Sequence, residues 1–226
     1  MIGEGAVQEA VHEVVQKAAR GSEGTAARVV LVRHGETEWS RDGRHTGLSD
    51  IHLTELGERQ ARGAGTMVAG RSFGLVLSSP LERARMTARL AGFGDGEAGA
   101  GAETDADLVE WDYGPYEGLT SAQIAEEYGS DWTIWRAGTD GSPRPGETAE
   151  AVGERADAVL ARISPVLERG DDVLLVAHGH VLRILAARWL GLPAVGGALL
   201  ALGTGSVSEL GYEHDTRVIT HWNLAP

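Results

Sequence analysis

Val29-Val30-Leu31-Val32-Arg33-His34-Gly35-Glu36-Thr37-Glu38-Trp39 sets four apolar, β-favouring residues directly against an arginine, a histidine and a glycine. An unbroken apolar run ended by glycine reads as a strand buried on both faces, the habit of parallel sheets. Ligands of open α/β sheets bind beyond the carboxyl ends of the strands. Arg33 and His34 stand at such an end, and a guanidinium fork beside an imidazole suits an anion. Two further stretches repeat the pattern. Val173-Leu174-Leu175-Val176-Ala177-His178-Gly179-His180 is again an apolar run into His-Gly, and Leu75-Val76-Leu77-Ser78-Ser79-Pro80-Leu81-Glu82-Arg83 is a strand that turns into a helix. Ser79 as N-cap and Pro80 in the first turn would set Arg83 near that helix's N-terminus. If the three strands run parallel, Arg33, His34, Arg83 and His178 meet at one edge of an α/β sheet.

The rest of the composition makes that edge unusual. The chain has 226 residues, a formal net charge of −13 and a pI near 5.0. Its length suits one domain with a sizeable core. Its acidity argues against nucleic acid or an anionic membrane as partner, leaving a local basic pocket to draw in a small phosphorylated substrate. There are no cysteines, which removes disulfides and thiolate metal sites. No apolar run is long enough to span a membrane, and Glu4 and Glu9 do not fit a secretory leader, so the expected location is cytoplasmic.

Residues 1–26 read as an extension: Val7, Val11, Val14, Val15 and Ala18 recur at helical spacing before a glycine-containing link. The extension is a candidate contact in a homodimer, and residues 27–226 form the expected domain. Residues 40–50 make a polar, glycine-punctuated loop, after which Thr54 is placed to cap a helix. Residues 92–101 read as a loop and 120–128 as a helix. A long helix spans 149–167, with Pro165 expected to end or kink it near Ser164. A helix over 181–190 follows the second histidine strand, and 205–210 with 217–222 form an antiparallel pair at the sheet's edge.

Arg33-His34-Gly35-Glu36-Thr37, Ser79-Pro80-Leu81-Glu82-Arg83-Ala84 and Ala177-His178-Gly179, in that order, resemble the histidine phosphatase family, also called phosphoglycerate-mutase-like. The resemblance runs from Ala27 to about Leu210. It implies a three-layer α/β/α sandwich, mostly parallel with an antiparallel edge, a phosphohistidine intermediate and no cofactor. It also implies that loop 40–50 closes over the phosphate, with Thr46 and Gly47 offering a hydroxyl and a backbone N–H. Ser40 stands where mutase-like members carry Asn after the Trp.

The chemistry is readable residue by residue. A histidine between cations is pushed toward the neutral form, and a neutral imidazole nitrogen is a competent nucleophile toward phosphorus. Arg33 and Arg83 supply that push and offer forks for phosphoryl oxygens. His178 can bond the same oxygens. The leaving oxygen needs a proton, and Glu110, walled by Trp111 and Tyr113, is the candidate acid. Asp112 and Glu117 compete for that role on the residues alone. The family resemblance selects Glu110, because Leu108, Glu110, Gly114 and Gly118 fit the family's Leu-x-Glu-x-x-x-Gly-x-x-x-Gly frame. Gly179, His180, Ser206, Trp111 and Tyr113 complete the expected substrate pocket. A phosphomonoesterase is the leading reading. A phosphoglycerate-type mutase shares the groups but carries a longer insertion after the acid than the compact 121–147 segment here. A metallohydrolase using His34, His178, His180 and Glu110, and a silent phospholigand-binding protein, are the readings from other classes.

Overall fold

The computed structural model describes residues 27–94, 101–129, 132–139 and 145–226. The helix expected within 1–26 lies outside the described residues, as do parts of the 92–101 and 138–146 loops. In chain order the elements are β1 (Val29–Arg33), α1 (Glu38–Arg41), α2 (Glu55–Met67), β2 (Phe73–Ser78), α3 (Glu82–Leu90), β3 (Glu103–Thr104), α4 (Ser121–Tyr128), α5 (Ile134–Ala137), α6 (Ala149–Glu168), β4 (Asp172–Ala177), α7 (Gly179–Trp189), β5 (Val207–Glu213) and β6 (Thr216–Leu224).

The strands form one six-stranded sheet in the order β3-β2-β4-β1-β5-β6. β3, β2, β4 and β1 are parallel, and β5 and β6 close one edge antiparallel. Alternation along the strands explains the layers. Val29, Leu31, Leu77, Val173 and Leu175 face one side, where they pack with Val152, Ala156, Val159 and Ile163 of α6 and Leu182 and Leu185 of α7. Val30, Val32, Val76, Leu174 and Val176 face the other, against Ala64 of α2 and Ala84 and Ala88 of α3. Both faces are covered, so the central strands carry no polar alternation. No helix among the described residues is long and apolar enough to cross a membrane.

Two expected boundaries move. Helix α3 begins at Glu82 with Leu81 as its N-cap and no side-chain cap, so Ser79 and Pro80 lie outside it. Ser79 is still part of the sheet edge, its N–H donating to the carbonyl of Val176 at 3.0 Å. Pro165 does not end α6, which continues to Glu168. The proline's ring faces solvent while Ile163, Val166 and Leu167 beside it are buried, and that apolar contact outweighs one missing N–H.

Replacing Pro165 by Ala restores the missing donor on the exposed face. The expected gain is about 1–2 kcal/mol after the lost rigidity of the unfolded chain is subtracted, a rise in Tm of roughly 2–8 °C. Thermal unfolding of the purified variant measures it. A lower Tm would show that the surrounding contacts are built on the proline ring.

Candidate active site

The register of the sheet assembles the site. Arg33 is the last residue of β1 and lies opposite Ala177, the last of β4. The His34 N–H continues that ladder, donating to the Ala177 carbonyl at 2.9 Å. His34 and His178 therefore leave adjacent strand ends, and their ring centroids are 5.1 Å apart. Ser79, at the end of neighbouring β2, accepts or donates at 2.7 Å with His178 Nε2. Gly35 is required by a close approach: a Cβ there would sit 2.2 Å from the Gly57 carbonyl oxygen, so the motif's backbone lies directly on α2.

Proton positions follow from the partners. His34 Nδ1 lies 2.7 Å from the carbonyl oxygen of Gly35. A carbonyl only accepts, so Nδ1 carries the proton and Nε2 keeps its lone pair. His178 Nδ1 accepts from Arg83 Nε at 3.1 Å, which places its proton on Nε2, donating to Ser79 Oγ. Burial lowers the pKa of His34 well below its ordinary value, and the charges of Arg83 and then Arg33 push the same way against the Gly35 hydrogen bond. His178 is lowered well below as well, by burial first and then by Arg83, His34 and Arg33. Both rings are neutral at pH 7.

A cavity of about 230 Å³ opens at this edge, lined by Arg33, His34, Ser40, Thr46, Glu110 and Tyr113 among others. Arg33 Nη1 is held by the Leu202 carbonyl, while its Nε is buried without a hydrogen-bond partner. Gly179 leaves room for that guanidinium, since a Cβ there would lie 3.3 Å from Arg33 Cζ. Glu110 sits where α7 begins. Its Oε1 accepts the N–H groups of Trp111 and Val181, each at 3.0 Å, and its Oε2 accepts that of His180 at 3.0 Å. Backbone donors at a helix N-terminus thus hold the carboxyl group, in addition to the aromatic neighbours the sequence suggested.

Several expected contacts are redirected. Arg83 is fully buried but does not present its fork to the cavity: its Nη1 donates to the Ser49 carbonyl at 2.7 Å and its Nη2 to those of Thr46 and Gly47 at 3.1 and 2.7 Å. The Gly47 N–H is taken by the Glu117 carboxylate at 2.9 Å, and the Thr46 hydroxyl donates to Arg44 O. Trp111 is core rather than pocket wall, buried, with its indole N–H on the Glu147 carbonyl at 2.8 Å. Ser206 is buried and tied to Gly203 O at 2.7 Å, so Leu202 lines the cavity instead. Ser40 lines it while forming a capping box with Thr37. Tyr113 and His180 do line it and are joined, phenol to Nδ1, at 2.6 Å. Burial raises the Tyr113 pKa well above its ordinary value and lowers that of His180 well below, so the phenol is the donor.

The sequence reading missed Arg183 and Arg44, which also line the cavity. Arg183 lies one helical turn after His180, its Nε on Gly197 O at 3.0 Å and its guanidinium 4.7 Å over the Trp135 ring. The i, i+3 spacing from His180 was the available signal. Among the described residues no group of three or more His, Asp or Glu is placed to hold a metal ion.

A family model described as the histidine phosphatase superfamily (branch 1) matches residues 29–225. An acid phosphatase of Mycobacterium tuberculosis is 41% identical over 192 residues, 84% of this chain and 89% of that protein. The sedoheptulose 1,7-bisphosphatase of Saccharomyces cerevisiae is 38% identical over 188 residues, 73% of this chain and 68% of that protein. The solved structure of a mycobacterial glucosyl-3-phosphoglycerate phosphatase with VO3 superposes with a TM-score of 0.74 at 32% identity, covering 88% of this chain and 100% of that one.

The buried neutral rings set a stability window. The pKa of His34, of His178 and of His180 is lower in the folded state than in the unfolded one, where it is near 6.5. Below about pH 6.5 the unfolded chain binds more protons, so stability falls as pH falls, by up to about 1.4 kcal/mol per pH unit for each ring. Urea unfolding between pH 8 and 5.5 should show stability level above about pH 7 and declining below it, with a shallower decline in His180→Gln. A level curve down to pH 5.5 would contradict the buried neutral state.

Proposed function

Because this chain belongs to the histidine phosphatase superfamily, we propose that it hydrolyses a small phosphorylated metabolite through a phosphohistidine on His34. It is a phosphomonoester hydrolase. The observation that carries the intermediate is the meeting, in one cavity, of the His34 ring, whose Nε2 keeps its lone pair, with the Arg33 guanidinium, whose buried Nε–H has no hydrogen-bond partner. The first is a nucleophile and the second an anion donor awaiting an acceptor.

The chemistry runs in two displacements. The phosphate enters with its oxygens on Arg33, and the Nε2 lone pair of His34 attacks phosphorus. The P–O bond to the leaving group breaks, its electron pair departs with the oxygen, and Glu110 supplies the proton, releasing an alcohol. Glu110, now a carboxylate, takes a proton from water as that water's oxygen attacks phosphorus. The P–N bond then breaks, its electron pair returns to Nε2, and inorganic phosphate leaves. Arg83 and His178 act from behind the nucleophile. Arg83 supplies positive charge that adds to burial in keeping His34 neutral before attack and offsets the phosphoryl charge during transfer. His178 fills the space beside the nucleophile's ring, fixed by Ser79 and Arg83.

The test is phosphate release from 4-nitrophenyl phosphate in excess EDTA, for the natural protein and His34→Ala. The natural enzyme should turn over, and the variant should lose about 10⁴-fold or more in kcat. Quenching the natural enzyme during turnover with detergent at alkaline pH should trap a base-stable phosphoprotein that loses its phosphate when the sample is then acidified. Including phosphoglycerates as substrates separates isomerisation from hydrolysis. Turnover that survives in His34→Ala, or that dies in EDTA, would sink the phosphohistidine reading.

A further inference from the structure

Glu110 lies in a stretch, 109–113, that belongs to no helix or strand, so something else must hold it to the tolerance proton transfer needs. Its oxygens are fixed from one side by α7, as described. The other side is held by an ion pair that does not line the cavity. Arg155, on α6, donates from Nη1 to the carbonyls of Asp107 and Val109 at 2.7 and 3.1 Å. Its Nε and Nη2 form a fork on the two carboxylate oxygens of Glu147, both at 2.8 Å. Glu147 in turn accepts the Asp112 N–H on Oε2 at 2.9 Å, returns its own N–H to the Asp112 carbonyl at 2.9 Å, and accepts the Trp111 indole N–H on its carbonyl at 2.8 Å.

The residues on either side of Glu110 thus close on one pair, Val109 through Arg155 and both Trp111 and Asp112 through Glu147. The pair is largely shielded from water, with side-chain exposures of 17% and 25%, where a bidentate arginine–carboxylate contact is stiff and directional. A general acid must come within about 2.6–3.2 Å of the oxygen it protonates, and an error near 1 Å costs on the order of 10²-fold. We infer that the Glu147–Arg155 pair is a positioning element for the acid, setting the Glu110 segment against α7 so that the carboxyl group meets the leaving oxygen. The inference rests on Glu110 being the acid. The bland alternative is that the pair only stabilises the fold.

The two differ in how activity depends on the leaving group. 4-Nitrophenolate departs as an anion without help, whereas an alkoxide needs its proton as the P–O bond breaks. The experiment measures kcat/KM, which reports the steps up to release of the alcohol, for 4-nitrophenyl phosphate, phenyl phosphate and glycerol 3-phosphate. It uses the natural enzyme, Glu110→Gln, Arg155→Met, Arg155→Lys and the double variant Glu147→Gln/Arg155→Met. The double variant removes both charges and avoids leaving a shielded carboxylate unpaired.

For Arg155→Met and the double variant, the ratio of glycerol 3-phosphate to 4-nitrophenyl phosphate activity should fall on the order of 10²-fold, with phenyl phosphate between. Arg155→Lys, which keeps the charge but not the fork, should fall by less. Glu110→Gln should show the same ordering. Equal losses on all three substrates in the double variant, with Glu110→Gln selective, would overturn the positioning role and leave the acid in place. An unselective Glu110→Gln would overturn the acid itself.

Discussion

The ladder between β1 and β4, ending with Arg33 opposite Ala177, decides where both histidines stand. A slip of one residue would turn Val30 and Val32 toward the wrong helices and carry His34 away from His178. Each strand is buried on both faces, so every alternate residue has a packing reason to stay where it is. The site inherits its geometry from that core. Glycine at 35 removes a side chain that would collide with the α2 backbone, and glycine at 179 avoids a tight contact with the Arg33 guanidinium.

Electrostatics follow from the same arrangement. Arg83 is completely buried, and it is tolerated because carbonyls of Ser49, Thr46 and Gly47 and the ring of His178 occupy its donors. Burial keeps His34 and His178 neutral, and the charge of Arg83 pushes the same way. Arg33 differs in one respect that matters for chemistry: its Nε remains without a partner. In a chain of net charge −13, a guanidinium lining a cavity beside a neutral imidazole is a place suited to an anion. The division of labour between two arginines, one tied to the protein and one left a donor to give, is a consequence of the loops around them.

Glu110, the proposed acid, has the opposite problem, a carboxyl group on irregular backbone. Helix α7 approaches it with free N–H groups, and helix α6 holds its neighbours through Arg155 and Glu147. Two helices from the same face of the sheet therefore share control of one carboxyl group. That gives the segment a rigidity that its own hydrogen bonding does not provide.

Much of this was legible along the chain. Apolar runs ending in Arg-His-Gly and His-Gly identified buried parallel strands, and their shared chemistry identified Arg33, His34 and His178, because hydrophobic period and residue type are local properties. Glu110, the proposed acid, was selected through its family frame. What the chain did not disclose were the hydrogen bonds that cross between distant segments. Ser79 looked like a helix cap but lies just past the end of β2 and bonds to His178, ninety-nine residues away. Trp111 was open to either the core or a pocket wall and is buried, its ring against Trp135 and His180, and Gly47 is claimed by Glu117, seventy residues on. Arg155 and Glu147 carried no signal as site residues, since their value lies in carbonyls they reach only after folding. Pattern along the chain reports which faces must be buried. Only the packed structure decides which of many competing donors and acceptors meet, because each such choice depends on distances that no local spacing encodes.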